Sequence, residues 1–486
     1  MTRTFPPVRF AAALALSLAP ALLAGCSNDS QVLARIDGRT ITRRDFVEVA
    51  ARNPATYGGP AATARAALLD DLVKRELLVL EAHKRGLMDP AEEARLARQA
   101  QDQLALSQLF ARSVPRDVPV SDAEVDTFYR LQGLESHARV VFTLDRPGID
   151  AALAEIRAGH DLGAVADRWN QANLVPPHGD IGFVTAGALI GALDRAVTRG
   201  RIGEVQGPIE SEGEGWFLVQ VLERRPRKQQ PLAGVRGMLA DMIRQRKQHA
   251  LLLDLQRGLL AQYHVTVEPD APQVLFMRYN QPRDTTTVGG IKVPVPAAPT
   301  PGEARRVLAR YDGADGRPVA YTLADAIQDL QDPSRIRPSF SMVPVIRQWL
   351  LNMALQRVAL IEAQRRHFGD EPEIARQVRQ RVDNQLLQAA YSTLIVAAVN
   401  VSDADVRADY ERLASGPTGP GTPPPPFEKL DEGQRNTLKV QLLEQRRVQR
   451  LDQVLQSLRA TYRPVTYPER LARVPWPVPP AAPQGT

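Results

Sequence analysis

The sequence has one cysteine, few aromatic residues and, beyond its N-terminus, no long hydrophobic run. Cys26 is the single cysteine among 486 residues, which excludes an intramolecular disulfide and a cysteine-based structural zinc site. Aromatic residues make up only 5% of the chain. After residue 26 no apolar run exceeds about ten residues, well short of the ~20 that a membrane-spanning helix needs. A multi-span membrane protein is therefore excluded.

Net charge is also low. The formal charge of +6 falls to +4 when Arg3 and Arg9, the two charged residues before Cys26, are set aside. Such a charge over this length does not indicate nucleic acid, and we expect no nucleic-acid partner. Hydrophobic residues at 44% and charged residues at 24% are ordinary for a globular protein, which excludes wholesale disorder. The 39 prolines indicate stiff linkers.

The N-terminus has the pattern of an export signal. An apolar run over residues 10–24 follows two arginines, and its length fits a signal-peptide core. The run ends in Leu-Ala-Gly-Cys at 23–26, which resembles the lipobox of bacterial lipoproteins. That resemblance implies removal of residues 1–25 and lipidation of Cys26, anchoring the chain to the membrane. Ser27, directly after this cysteine, matches the sorting pattern of lipoproteins that go to the outer membrane. The alternative is an ordinary secretory signal with an incidental cysteine.

An internal repeat indicates a duplicated unit. Three segment pairs recur in the same order at nearly constant spacing. They are VLARIDG at 32–38 with VLARYDG 275 positions later, LVLEAHKRG at 78–86 with ALIEAQRRH 281 positions later, and VSDAEVDTFY at 120–129 with VSDADVRADY, again 281 positions later.

The first copy contains an insertion. Residues 262–267 resemble residues 461–466, yet the tyrosines of these two segments are only 199 positions apart. The difference between 281 and 199 is 82 residues, the size of a small domain. We therefore place an inserted domain between residues 129 and 231. In the second copy, the proline-rich stretch 415–426 fills that place as a stiff bridge.

The repeated unit reads as helical. Leucines of residues 67–85 form a broad apolar stripe with charged residues on the other side. The segments 121–124 and 402–405 are each predicted to be a capping box that starts a helix. Amphipathic helices are predicted from residues 231 and 427 onward. We expect each copy to be an N-terminal helical block that its own C-terminal helix closes.

This organisation predicts nine consecutive segments. They are a signal peptide (1–25), the N-terminal part of helical unit 1 (26–134), the inserted domain (135–226), the C-terminal helix of unit 1 (227–270), a proline-rich linker (271–302), the N-terminal part of helical unit 2 (303–412), a second proline-rich linker (413–426), the C-terminal helix of unit 2 (427–470) and a disordered tail (471–486).

The inserted segment resembles a known family. Residues 138–224 read as a strand, two helices, a loop, a helix and two strands. His-Gly-Asp-Ile-Gly-Phe at 178–183 resembles the parvulin signature G-G-D-L-G-W/F, 201–209 resembles K-x-G-E-V-S-G-P-V, and 215–224 resembles G-Y-H-I-I-K-V-L-D-R. The segment is thus similar to parvulin-type (PpiC or rotamase) peptidyl-prolyl isomerases, and the flanking units resemble the SurA and PrsA chaperones.

The resemblance implies a fold class. We expect an α+β protein that is mostly helical, with two chaperone-like helical units, the first carrying a parvulin-like domain of antiparallel sheet and helices. The resemblance covers residues 31–270 well and the second copy more weakly, because the second copy lacks the parvulin segment.

The residues that parvulins use for catalysis are replaced. The resemblance implies two histidines, a nearby Cys or Asp, and a proline slot made by a Met and a Phe. The histidine positions hold Val140 and Phe217, and the Cys/Asp position falls near Ala172. The slot positions remain apolar. We expect a proline or peptide pocket lined by Leu189, Leu193, Phe183 and Phe217.

The other histidines of the inserted segment are not expected to replace the missing pair. His137 lies three residues before Val140, so strand alternation directs its side chain to the opposite face. His160 and His178 are expected to be solvent-exposed. No metal site or cofactor is expected, because the sequence has no metal-spaced histidine cluster and no glycine-rich phosphate loop.

Three functions remain open from the sequence. The favoured one is a lipid-anchored periplasmic folding factor that binds unfolded or nascent exported polypeptides, outer-membrane proteins among them, with isomerase activity weak or lost. The alternative is an active peptidyl-prolyl cis-trans isomerase acting on X–Pro bonds of exported proteins. A third is a structural envelope lipoprotein without clients.

Overall fold

The structure, a computed structural model, describes residues 31–52, 56–170, 175–189, 191–211, 215–279, 283–288, 291–332, 343–415 and 425–476. Cys26, the expected signal peptide and Ala172 lie outside these ranges. Within them the chain is mostly helical with a small antiparallel sheet domain, as expected. Among the described helices, none combines the length and the apolarity needed to cross a membrane.

The first copy starts with a hairpin and four helices. They are β1 (Val32–Ile36), β2 (Arg39–Thr42), α1 (Arg43–Arg52), α2 (Ala61–Lys84), α3 (Pro90–Ser113) and α4 (Asp122–Gln132). The inserted domain follows with β3 (Leu134–Thr143), α5 (Arg146–Arg157), α6 (Leu162–Trp169), β4 (Asp180–Thr185), α7 (Gly191–Arg199), β5 (Val205–Ser211) and β6 (Gly215–Pro226).

The chain then completes the first copy and continues into the second. The remaining elements are α8 (Leu232–Gln262), β7 (Thr266–Val267), α9 (Ala271–Tyr279), β8 (Arg283–Val288), β9 (Ile291–Pro296), α10 (Pro301–Ala304), β10 (Val307–Asp312), β11 (Pro318–Thr322), α11 (Leu323–Gln331), α12 (Val343–Arg365), α13 (Pro372–Tyr391), α14 (Asp403–Ala414), α15 (Glu432–Tyr462), β12 (Val465–Thr466) and α16 (Pro468–Ala472).

Both capping boxes are confirmed. The Ser121 side chain accepts a hydrogen bond from the Glu124 backbone N–H, and the Glu124 carboxylate accepts one from the Ser121 N–H at 2.8 Å, which starts α4. Ser402 and Asp405 make the same reciprocal pair at the start of α14. Each box satisfies N–H groups that the first turn of a helix leaves without partners.

The chain divides into two compact units, which do not coincide with the two copies. One contains the described residues up to Ala97 and from Arg379 onward, and the other is Arg98–Val378. The first unit has a three-stranded sheet in the order β12-β1-β2. Its core lies under helices α2 and α15, with Phe46, Leu68, Leu77, Leu455 and Leu458 buried in one cluster.

The second unit has the corresponding sheet in the order β11-β10-β7. Its main core packs α12 against α8, α9 and β10. The largest fully buried side chains of this core are Leu109, Leu275, Leu308 and Tyr321. In the same unit, α4 packs along α8 through Val125, Leu239 and Ile243.

The closing segments are exchanged between the copies, which corrects the expectation that each copy closes itself. β7 ends the first copy but pairs with β10 of the second, with Ala309 opposite Val267. β12 ends the second copy but pairs with β1 of the first, with Ala34 opposite Thr466. These are equivalent positions of the repeat. Each compact unit therefore takes its sheet from both copies.

A buried Tyr–Glu hydrogen bond repeats the exchange. The Tyr263 hydroxyl, after α8, donates to Glu362 on α12 at 2.8 Å. The Tyr462 hydroxyl, at the end of α15, donates to Glu81 on α2 at 2.5 Å. The two glutamates are 281 positions apart and the two tyrosines 199, the spacings of the repeat itself. Each bond joins one copy to the other within a single unit.

Two further expectations need correction. Residues 271–302 are not a linker, because α9, the β8–β9 hairpin and α10 lie there, and Ala271 and Leu275 are fully buried in the core. The predicted start of the disordered tail, at residue 471, also lies too early in the sequence. Val474 is 2% exposed and Trp476 packs on Phe46, since a β-strand and a short helix bring this segment onto the first unit. Residues 477–486 and 416–424 lie outside the described chain.

The inserted domain is a four-stranded antiparallel sheet in the order β4-β3-β6-β5. Helices α5 and α6 cover one face, in a cluster with Val141 and Leu218. Helix α7 covers the other face, in a cluster with Val140 and Val219. Neighbouring strand residues thus serve opposite faces, as the two-residue period requires. Strand β4 lies in the stretch predicted to be a loop.

Candidate functional site

The structure brings most of the expected proline pocket together. Val140 is 2% exposed and lies in one apolar cluster with Leu193 of α7. Leu189 and Phe217 pack against the same cluster and are partly exposed. The Phe217 ring also meets the Phe142 ring with centroids 4.8 Å apart. We call the cluster of Val140, Leu189, Leu193 and Phe217 the slot.

Phe183 is not part of the slot, which corrects one expected pocket residue. Phe183 lies opposite His137 in the pairing of β4 with β3, and the next residue, Val184, lies opposite Ser136. Val184 packs against the slot cluster, so Phe183 faces the other way. Its ring stacks on His137 with centroids 4.9 Å apart, and the Arg225 guanidinium lies over it at 3.5 Å.

The histidines of the inserted domain lie outside the slot cluster in the described part of the chain. His137 places Nε2 2.7 Å from Oδ1 of Asp180. A backbone hydrogen bond from Gly182, followed by the contact with His137, keeps the pKa of Asp180 below its usual value. His160 and His178 are exposed, as expected.

Asn170 makes contacts that no sequence pattern predicts. Its side-chain oxygen accepts a hydrogen bond from the Phe142 N–H at 2.7 Å, and its amide donates to the Val140 carbonyl at 3.1 Å. Strand β4 pairs with β3 only as far as Arg139, so Asn170 replaces a strand partner beyond that point. The residue therefore holds the backbone beneath the slot.

Gly179 approaches the slot strand too closely for any side chain. A Cβ atom there would lie 2.2 Å from the Val140 carbonyl oxygen, and φ is +66°. At Gly182, where φ is +70°, a Cβ atom would have no other atom within 4 Å. A side chain at either glycine would be penalised by the left-handed backbone, but only at Gly179 would it also clash with a neighbouring atom. Comparing the two positions therefore separates the backbone cost from the steric cost.

We expect Gly179→Ala to destabilise the inserted domain by about 1–3 kcal/mol more than Gly182→Ala, which costs about 1–2 kcal/mol from its left-handed backbone alone. Urea unfolding of both variants measures the difference. Equal losses in the two variants would mean that Val140 can move aside at no cost.

A groove of about 1150 Å³ lies beside the slot between α4, α7 and α8, within the second unit. Leu189 belongs to both the slot and the groove. Phe128 and Leu131 of α4 and Leu253 of α8 contribute further apolar surface. The groove and the slot therefore adjoin at Leu189.

One ion pair holds the inserted domain against α8. Asp194 of α7 is 4% exposed and accepts hydrogen bonds from Arg246 Nη2 and from the Gly187 N–H, both at 2.8 Å. A buried carboxylate needs such partners. The repeat contained a signal for this contact. The position of Arg246 in the second copy, which lacks the insertion, holds Gln445.

A second ion pair at the groove is present in both copies. Lys247 lies 2.5 Å from Glu124, and its counterpart Arg446 lies 2.8 Å from Asp405. The hydrogen bond from Lys247, followed by that from the Ser121 backbone, lowers the pKa of Glu124 to about 2. This pair thus belongs to the repeated unit, whereas Asp194–Arg246 belongs to the insertion.

The described residues contain no group of three or more His, Cys, Asp or Glu side chains placed to hold a metal ion. The slot itself offers valine, leucine and phenylalanine side chains, with no acid, base or nucleophile. The slot therefore offers only apolar contacts.

Comparison with known proteins agrees with this architecture. No family model matches the chain. Over 235 residues it is 24% identical to a probable parvulin-type peptidyl-prolyl cis-trans isomerase of Bordetella pertussis, covering 44% of this chain and 86% of that protein. It is 20% identical over 214 residues to the foldase protein PrsA of a Geobacillus species, covering 42% of this chain and 77% of that one.

A shorter match reaches higher identity. The chain is 39% identical over 61 residues to the chaperone SurA of Bordetella avium, which covers 13% of this chain and 12% of that protein. The chain thus has parvulin-type isomerases and the SurA and PrsA chaperones as homologues, at low identity and over about half of its length.

Proposed function

We propose that this protein is a folding factor that binds unfolded exported polypeptides as a chaperone, with peptidyl-prolyl isomerase activity weak or lost. One observation carries the proposal: the two positions that correspond to parvulin histidines hold Val140 and Phe217, in an apolar cluster that shares Leu189 with a groove of about 1150 Å³. The homologues named as chaperones and foldases support the same class of function.

The chemistry of X–Pro rotation supports weak or absent catalysis. The barrier is ~18–20 kcal/mol because the amide loses its resonance. An isomerase must therefore bind the twisted amide better than either planar form. Polar catalytic groups contribute about 10²- to 10⁴-fold in general. Val140 and Phe217 supply none, so the slot can bind a proline ring without stabilising the twisted amide.

The proposed location is the periplasmic face of the outer membrane, through a lipid on Cys26. The Leu-Ala-Gly-Cys sequence at 23–26 and the following Ser27 support this placement. Several acyl chains on one residue give stable anchoring. Radiolabelled palmitate should enter the wild-type protein and not Cys26→Ser. Incorporation into the Cys26→Ser protein would exclude this anchor.

The chaperone proposal predicts that stoichiometric amounts of the protein suppress aggregation of an unfolded outer-membrane protein. Leu253→Glu should weaken the apparent affinity at least tenfold, because burying a leucine is worth about 1.5–3 kcal/mol. Leu251→Glu is the matched control, since Leu251 lies on the same helix but does not line the groove. Light scattering follows the aggregation. No protection by the wild-type protein would exclude the proposal.

Active isomerisation is the second candidate, favoured by the homologue named as a probable parvulin-type isomerase. We expect a protease-coupled assay with a proline peptide to show at least 100-fold less acceleration than an active parvulin gives, following the polar-group contribution of about 10²-fold or more. Acceleration equal to that of an active parvulin would overturn our interpretation of Val140 and Phe217.

A further inference from the structure

The charges of the groove do not balance. Three carboxylates line it, and each is paired with one cation: Glu124 with Lys247 at 2.5 Å, Asp194 with Arg246 at 2.8 Å, and Asp254 with Arg257 at 3.0 Å. Two further arginines line it, Arg195 and Arg199 of α7. Neither has a side-chain hydrogen bond or ion pair with any residue that the structure describes.

These two arginines point to a ligand of a particular geometry. Arg195 and Arg199 are four residues apart on α7, so they lie on the same face of the helix with Cβ atoms about 5–6 Å apart. Both are exposed. In an extended peptide, side chains at positions i and i+2 face the same way and are about 6.6 Å apart. Two acidic side chains separated by one residue match the arginine spacing.

Apolar surface adjoins the two cations. Leu189 precedes α7 and reaches the slot, and Leu253 faces the groove from α8. A segment whose carboxylates contact the arginines can therefore bury a neighbouring apolar side chain. The combination selects against purely hydrophobic and purely acidic segments.

We propose that the groove recognises an extended segment of client polypeptide carrying an acid-x-acid pattern beside an apolar residue, with its carboxylates on Arg195 and Arg199. This inference rests on the proposed binding of unfolded polypeptides and adds the class of segment recognised. Ion pairs between exposed side chains contribute about 0.2–1 kcal/mol each, so two of them should strengthen binding by about 2- to 30-fold.

Fluorescence anisotropy of the full chain with four labelled dodecapeptides tests the proposal. One has two aspartates at i and i+2 beside a leucine, the second has asparagine at both positions, the third has the aspartates adjacent, and the fourth has the spaced aspartates but serine in place of the leucine. We expect the first to bind about tenfold more tightly than the second. The third and fourth should each bind more weakly than the first, because adjacent side chains face opposite ways and serine buries little apolar surface.

Variants place the effect in the groove. R195Q/R199Q should bind the aspartate and asparagine peptides equally. R157Q/R201Q removes the same charge from the same domain at exposed positions outside the groove, and it should keep the tenfold preference. Equal binding of the first two peptides by the wild-type protein would overturn the proposal. So would an equal loss of the preference for the aspartate peptide in both double variants.

The aggregation assay separates the two levels of inference. Protection of a client without any preference for the acidic peptide would refute the groove proposal and leave the folding-factor proposal intact. Preference for the acidic peptide without protection of any unfolded protein would refute the folding factor and support carboxylate recognition by the two arginines.

Discussion

Cleavage of the folded chain at a protease site placed between Ala298 and Pro299 is expected to leave both fragments in one folded particle. Each compact unit takes elements from either side of this point: β1 with β12 in one unit, and β10 with β7 in the other. Both main hydrophobic cores would be split by separation. Cleaved protein should therefore co-elute in size-exclusion chromatography with an unchanged helical circular-dichroism spectrum.

The isolated fragments provide the control. Residues 27–298 and 299–486 produced separately should each lack the unfolding transition of the two main cores, because each fragment retains only half of either core, and this transition should return on mixing. The first fragment should keep the transition of the inserted domain, whose apolar clusters it contains completely. Elution of cleaved protein as two folded fragments would contradict the exchange of closing segments and restore the expectation that each copy closes itself.

Replacement of Glu362 by Ala is expected to lower the free energy of unfolding by about 3 kcal/mol. Glu362 is fully buried and accepts hydrogen bonds from Tyr263 Oη at 2.8 Å, from Arg365 Nε at 2.8 Å and from Arg366 Nε at 2.6 Å. Loss of the carboxylate leaves the buried tyrosine hydroxyl without its acceptor, and hydrogen bonds to charged groups are worth about 1.5–3 kcal/mol. Urea unfolding at pH 7 measures the loss.

Two milder variants test whether loss of the hydrogen bond between the tyrosine and the carboxylate causes the destabilisation. Tyr263→Phe removes one donor and should cost about 1–2 kcal/mol. Tyr462→Phe removes the equivalent donor to Glu81 in the other unit and should cost a similar amount. Unfolding energies for Glu362→Ala within about 0.5 kcal/mol of wild type, the usual range for surface substitutions, would rule out a structural role for this bond.

The same carboxylate predicts a pH dependence. Hydrogen bonds from Arg365 and then Tyr263 lower the pKa of Glu362 to about 2, against an ordinary value of 4.5. Because the folded state lowers this pKa, the contribution is complete above about pH 4.5 and is lost as the pH falls toward 2. The difference in stability between wild type and Glu362→Gln should therefore shrink between pH 5 and pH 3. A stability difference that stays constant between pH 5 and pH 3 would contradict a lowered pKa of Glu362 in the folded state.

Local patterns predicted the local structure well. Ser121 with Glu124 and Ser402 with Asp405 start α4 and α14 because a capping box needs only residues three apart. The parvulin-like signatures predicted an antiparallel sheet with helices. Strand β4 was missed, since its glycine-containing sequence lacks alternation and becomes a strand only through its bonds to β3. Phe183 was misplaced for the same reason, because its face depends on that pairing.

The slot could be predicted only in part. Three of the four expected pocket residues, Leu189, Leu193 and Phe217, lie in one apolar cluster with Val140. Asp194 and Arg246, which hold the domain to α8, lie 52 residues apart and follow no local motif. The sequence contains one sign of this contact: Arg246 corresponds to Gln445 in the copy that lacks the insertion. That difference can be interpreted only once the ion pair between Arg246 and Asp194 is known.

The sequence by itself determined that the unit is duplicated, that one copy carries an insertion, and that apolar residues stand where the resemblance places the parvulin histidines. Only the tertiary structure decided which closing segment completes which sheet. VLARIDG and VLARYDG differ at one position, so the strand that receives a closing segment is locally almost the same in both copies. The choice depends on where α8 and α15 carry those segments, which packing of the whole chain alone decides.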